Sequence, residues 1–270
     1  MISINNGKRI SYTDSPGGYP VVLIHGYLET SESWNGFKDK LAGDFRVIAV
    51  DLPGHGSSDL TGAIQTMEEM ASSVKLLLDS LGIQRFFLIG HSLGGYVTLA
   101  FLEMFGDSLS GYCLFHSHPF PDTVEALEKR RSEISLALSG QKDLIYPDNI
   151  LKMFADRNHT LFAAAIERAR DIASEIPAEG IIAVLKGMML RPSRLSFVEE
   201  GKVPFLWILG ALDNYIDCKT MKTMVDMPGN AILVVLDRSG HMGFIEEQDR
   251  SVSIVREFIR EHRECAKLTK

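Results

Sequence analysis

The sequence predicts an α/β protein built on a mainly parallel, eight-stranded sheet flanked by helices. Three observations carry the expectation: short apolar runs alternate with helix-periodic segments, the alternation stops between 118 and 196, and it resumes afterwards. Residues 2–5 and 9–13 form an opening hairpin around Asn6-Gly7, a strong turn dipeptide. Buried strands follow at 20–25, 45–50, 85–89, 111–115, 203–209 and 231–236, with helices at 34–41, 67–81 and 96–105 between them. A long amphipathic helix over 245–265 closes the chain.

From 118 to 196 no strand signal appears. Helices are expected at 122–139, ending before Gly140; at 147–157, opening on a first-turn proline; at 159–174, rich in alanine; and at 177–190, stopping before Pro192. This stretch reads as an all-helical insertion, so the expected organisation is a core of residues 1–117 and 197–270 interrupted by a helical cap at 118–196.

A chain of 270 residues, 45% of them hydrophobic, buries a substantial core. A net charge of −7 without a dense basic cluster argues against nucleic-acid or anionic-membrane partners. The strongest basic run, Lys129-Arg130-Arg131, is interleaved with Glu125, Glu128 and Glu133 and reads as a solvated helix face. Cys113, Cys218 and Cys265 cannot all pair and show no metal-ligand spacing, so a reduced compartment and no metal are expected. The first residues lack the apolar core of a signal peptide, and no run of about 18 apolar residues occurs; the expectation is a cytoplasmic protein, monomer or homodimer.

The most informative motif is Gly90-His91-Ser92-Leu93-Gly94, after the apolar run 85–89 and before the helical stretch from Tyr96. A serine on a sharp strand-to-helix turn needs small flanking residues, because the backbone is strained and strand and helix approach closely. A chain of this length matches the glycine pattern by chance about one time in ten, so the strand–turn–helix context decides for a nucleophile elbow. The Leu93 amide then sits at a helix N-terminus, where negative charge is stabilised.

A serine hydroxyl needs a base, and the base needs an orienting carboxylate. Asp213 follows the strand at 203–209 and His241 follows the strand at 231–236, so both reach the sheet edge that carries Ser92. The chain order Ser92, Asp213, His241 suits a sheet enzyme of this kind; Asp217 is a rival to Asp213. An oxyanion requires a second amide besides Leu93, and Tyr27, after the strand that ends in His25-Gly26, is the candidate.

With these stretches in view, the chain resembles the α/β-hydrolase fold enzymes, of the branch with carboxylesterases, proline iminopeptidase-like enzymes and carbon–carbon bond hydrolases. The resemblance rests on His25-Gly26-Tyr27, the stretch from Asp51 to Ser58, Gly90 to Gly95, Gly210 to Asp213, and Gly240-His241 with Glu246. It implies Ser92 as nucleophile, His241 as base, Asp213 as its partner, Tyr27 and Leu93 as oxyanion amides, and a lid at 118–196. Relatives with an aspartate nucleophile are set aside because the position holds Ser92. A small to medium, partly apolar ester or thioester, with no cofactor, is the expected substrate. A carbon–carbon hydrolase, a cofactor-free haloperoxidase and a non-hydrolytic lyase or receptor are the alternatives.

His25 and His55 are expected to organise loops. His116 and His118 leave a strand at the catalytic edge and enter the insertion, which suggests substrate contact or hinge packing. Further substrate-contact candidates are His25, Met188 and Met242, while Phe154, Phe162 and Met189 are apolar residues of the insertion that core packing also explains.

Overall fold

The computed structural model describes residues 1–5 and 7–263. Eight strands form one sheet in the order β1 (Ile2–Asn5), β2 (Lys8–Ser15), β4 (Phe45–Val50), β3 (Tyr19–Ile24), β5 (Phe86–His91), β6 (Leu109–Phe115), β7 (Phe205–Gly210) and β8 (Ala231–Leu236). β1 and β2 are antiparallel, β2 meets β4 antiparallel, and every pairing from β4 to β8 is parallel. β3, β5, β6 and β7 are almost entirely buried, which explains why they read as continuous apolar runs rather than as alternation.

Helices cover both faces. Phe86 packs its ring 5.5 Å from Phe101 on α3 (Leu93–Phe105), while the next residue, Phe87, lies 5.8 Å from Phe258 on α11 (Gln248–Arg263). Successive strand residues point to opposite faces, so α3 and α11 sandwich the sheet. α2 (Met67–Ser80) joins α3, and α1 (Asn35–Leu41) joins α11. α2 begins at Thr66, whose hydroxyl accepts from Glu69 N while Glu69 answers at Thr66 N, a reciprocal cap. Trp34, Phe37, Phe115 and Phe244 cluster beneath the carboxyl edge in mostly edge-to-face contacts, with Trp34 and Phe244 centred 4.3 Å apart.

Between β6 and β7 the described residues are helical or irregular. The helices are α4 (Val124–Leu138), α5 (Tyr146–Met153), α6 (Ala163–Ser174), α7 (Ala178–Leu190) and α8 (Leu195–Glu199). α5 stops at Met153 because Phe154 turns extended, and α6 starts only at Ala163, so both are shorter than expected. α8 carries no strong periodic signal and straddles the expected boundary at 196. After β7 come α9 (Cys218–Met224) and, beyond β8, α10 (Gly243–Glu246). The expected closing helix is broken at Glu247, whose backbone leaves the helical region, and its expected end at Cys265 lies outside the described residues, as does Asn6 of the opening turn.

Candidate active site

Ser92 sits between β5 and α3 with φ 49° and ψ −112°, a conformation that costs an L-residue energy. Three glycines make the turn possible. A Cβ on Gly90 would lie 2.2 Å from Gly94 O, one on Gly94 would lie 2.4 Å from Ile24 O, and one on Gly95 would lie 2.3 Å from Ser117 Cβ. One main-chain and one side-chain bond hold the turn to the end of β6 and the loop after it: Ser92 N donates to Phe115 O at 3.0 Å, and Ser117 Oγ donates to Ser92 O at 2.7 Å.

Asp213 follows β7 and His241 follows β8. His241 Nδ1 and Asp213 Oδ2 are 2.7 Å apart, both side chains nearly inaccessible. Since a carboxylate only accepts, the Nδ1 of His241 carries the hydrogen and Nε2 is left as the basic nitrogen. Asp213 Oδ1 accepts from Tyr215 N at 2.8 Å and Ile216 N at 3.1 Å. Burial opposes the charge on Asp213, but His241 and His116 outweigh it and hold the carboxyl well below the usual range. The rival, Asp217, caps α9 by accepting from Lys219 N and Thr220 N, a structural role.

His116 is a correction to the substrate-contact expectation. It is fully buried with φ 46°, accepts from Gly243 N through Nε2 at 3.2 Å, and places Nδ1 3.3 Å from Asp213 Oδ2, off the line of a hydrogen bond. The bond at Nε2 fixes the hydrogen on Nδ1, facing Asp213, and burial pushes this imidazole down to about 4, so it is neutral. His116 therefore braces the acid rather than touching a ligand. His25 also lies behind the site: its Nδ1 donates to Gly26 O at 2.8 Å and its Nε2 accepts from Leu52 N at 3.0 Å, stapling two loops. Met242 is buried and does not reach the cavity wall, and Phe154 and Phe162 pack against each other away from it.

Sequence reasoning missed a buried charge pair. His91 Nδ1 lies 2.9 and 3.1 Å from the two oxygens of Glu29, and His91 Nε2 lies 2.9 Å from His241 O. Both ring nitrogens face acceptors, so both carry hydrogen and His91 is an imidazolium. Burial works against each charge, yet the pairing holds Glu29 below and His91 above its ordinary value. Glu29 also accepts from Gly26 N at 2.8 Å. One ion pair thus ties together the loop carrying Tyr27, the residue preceding Ser92, and the backbone of His241. Its only sequence signal was the position of His91 inside the glycine motif.

Ser92, His241 and Tyr27 line a cavity of about 240 Å³ together with His118 and Met188, two of the expected contact residues. Neither the Tyr27 nor the Leu93 amide finds a hydrogen-bond acceptor among the described residues. His118 accepts from Phe120 N at 3.2 Å, sits 3.2 Å from Tyr96 Oη, and is pushed down to about 3 by burial and then by Arg191. The basic run is a second correction. Arg131 is exposed, but Arg130 reaches the cavity and Glu133, read as part of a solvated face, is buried against it. The loop carrying His241 is docked on the segment between β6 and β7 as well: His241 N donates to Met153 O at 2.6 Å, and Glu246 accepts from Gly240 N, Ala155 N and Asn158 Nδ2 at 2.7–2.9 Å.

Among the described residues no helix is long and apolar enough to cross a membrane, and Cys113 and Cys218 are free and buried. The sequence profile of the alpha/beta hydrolase fold family matches residues 19–248. A putative 2-succinyl-6-hydroxy-2,4-cyclohexadiene-1-carboxylate synthase of Bacillus subtilis (strain 168) is 28% identical, over 96% of this chain and 97% of its own length. The thermophilic esterase of Thermogutta terrifontis, solved with malate bound, is 29% identical with a TM-score of 0.91, covering 97% of each chain. An enol-lactonase from Burkholderia xenovorans LB400 shares the fold at 21% identity and a TM-score of 0.88, over 96% of this chain and 100% of its own. With a sheet of the same architecture and a profile match over most of its length, the chain belongs to the alpha/beta hydrolase fold family and is a hydrolase of that fold.

Proposed function

We propose that this hydrolase cleaves a carboxylic ester or thioester of a small, partly apolar acid, with Ser92 as nucleophile, His241 as base and Asp213 as its orienting partner. The observation that carries the reading is the convergence on one cavity of a serine in a strained strand-to-helix turn and an imidazole whose Nδ1 is bound to a buried carboxylate. His241 Nε2 removes the Ser92 proton as Oγ attacks the acyl carbon, and returns it to the departing alcohol or thiol. The charge that develops on the acyl oxygen is received by the Tyr27 and Leu93 amides, whose lack of other acceptors supports this role. Water, deprotonated by the same imidazole, then releases the acid and restores Ser92.

In this reading residues 118–196 act as a cap over the sheet edge. They bring His118 and Met188 to the cavity and reduce it to about 240 Å³, below the usual volume of a site for drug-sized ligands. A second reading, non-hydrolytic chemistry on the same residues, is favoured by the synthase name of the Bacillus relative. One experiment separates them. Purified protein is assayed on p-nitrophenyl esters and acyl thioesters beside its Ser92→Ala variant. The hydrolase reading expects turnover that falls by at least about 10⁴-fold in the variant; a folded wild type that turns over no acyl compound in the panel rejects it.

A further inference from the structure

The helical wall of the cavity is far more charged than a pocket for a neutral acyl chain requires. Three cations line it, Lys129, Arg130 and Arg191, against two anions, Asp122 and Glu133. The anions line the cavity too, but their oxygens are engaged. Asp122, its side chain only 2% exposed, accepts from Arg130 Nε and Nη2 at 2.6 and 2.9 Å and from Arg191 Nη1 at 2.7 Å. Glu133 accepts from Asn149 Nδ2 at 2.9 Å and Tyr27 Oη at 3.2 Å.

The cations retain open donors. Among the described residues nothing bonds Arg130 Nη1 or Arg191 Nη2, and the half-exposed Lys129 Nζ has one close hydrogen bond, to Asn149 Oδ1 at 2.8 Å. Arg191 cannot swing away, because its guanidinium lies 3.9 Å over the Tyr96 ring and its Nε and Nη1 donate to Phe120 O and Met188 O. The wall therefore holds a surplus positive charge in a small cavity, with Arg191 nearly inaccessible and Lys129 half exposed, and a charge held out of water acts more strongly than one in it. A guanidinium fork suits a planar carboxylate.

We infer that this wall is an anion subsite, and that the preferred substrate is an ester of an acid bearing a second carboxylate at the end remote from the scissile carbonyl. Lys129, Arg130 and Arg191 receive that carboxylate while the ester carbonyl lies at Ser92. The inference rests on the serine-hydrolase reading and adds the substrate class to it.

The test compares mono-p-nitrophenyl glutarate with p-nitrophenyl valerate, matched in length and differing in the terminal carboxylate. The wild type should favour the glutarate ester in kcat/KM by at least about tenfold, the size of one charge-assisted hydrogen bond. The preference should shrink with added salt. In Lys129→Gln and in Arg130→Gln the ratio of the two rates should fall towards one; being a ratio within a single preparation, it is insensitive to a partly unfolded fraction. Glutarate should also raise the melting temperature of the wild type more than of the Lys129→Gln variant, a readout that needs no turnover. Turnover of both esters with no preference for the glutarate overturns the anion subsite and leaves the hydrolase reading standing. Glutarate stabilisation without turnover of either ester supports the subsite and rejects the hydrolase reading. If glutarate stabilises wild type and variant alike, or neither, the subsite is rejected.

Discussion

Where the cavity meets the sheet edge, it is lined by Ser92, His241, Tyr27 and Tyr96, on loops and turns backed by close-packed glycines; where it meets the segment between β6 and β7, its charged lining is Asp122, Lys129, Arg130, Glu133 and Arg191, paired with one another across that segment. At the sheet edge, positions are set by strand register and by contacts that leave no room for a Cβ, as at Gly90 and Gly94. At the helical wall, positions are set by ion pairs such as Arg130–Asp122–Arg191, whose members lie up to 69 residues apart. The first kind of construction can hold side chains to within about 0.5 Å, which the proposed chemistry at Ser92 and His241 needs. The second can change its charges without rebuilding the fold, which suits the substrate-selecting role proposed for it.

The contrast is broken most forcefully by Asp213→Asn, which keeps the shape of the edge but presents an amide to His241 Nδ1. On the proposed mechanism the imidazole takes the wrong tautomer and kcat on p-nitrophenyl butyrate drops by roughly 10⁴-fold with the melting temperature little changed; a loss under tenfold would remove Asp213 from the mechanism. Next in size is Gly94→Ala. Its new methyl would stand 2.4 Å from Ile24 O and 2.7 Å from His25 O, both main-chain atoms that cannot move independently of β3. A stability loss of at least about 3 kcal/mol by denaturant titration is expected, against less than about 1 kcal/mol for Lys129→Gln at the helical wall. Equal losses would erase the distinction.

Acid probes both walls at once. His116 at the edge and His118 at the helical wall are held neutral by burial, down to about 4 and about 3. In the unfolded chain they take protons near pH 6.5, so between there and their folded values the unfolded state binds more protons and stability falls as pH falls. His91 has the opposite sign, its contribution being lost only as pH rises through its elevated value. A fall of at least about 1.4 kcal/mol per pH unit is expected between pH 6.5 and 4, reduced in His118→Gln. Constant stability over that window would show that these imidazoles take up protons without cost.

The same contrast explains what could be read from the chain. Strand runs, the glycine motif and the order of Ser92, Asp213 and His241 are local or ordered signals, and Asp213 and His241 do meet. His91 as a charged cross-link, His116 behind Asp213, and Arg130 and Glu133 facing inward were not legible, because each depends on which distant residue stands opposite. Helix periodicity over 124–138 is weak, since one side of α4 covers a polar cavity rather than an apolar core, and this made Lys129–Arg131 resemble a solvated face. α5 is shorter than expected because a residue pattern does not register the extended turn at Phe154, and α6 because alanine content does not mark where a helix starts, here only after Phe162.

The most direct test of the central claim is covalent capture of the nucleophile. Wild-type protein treated with a small alkyl fluorophosphonate and mapped by peptide mass spectrometry should carry one phosphonyl group, on Ser92, in step with the loss of esterase activity. Ser92→Ala should carry none. Modification of a different residue in step with inactivation, or full ester turnover by protein already labelled at Ser92, would contradict the account.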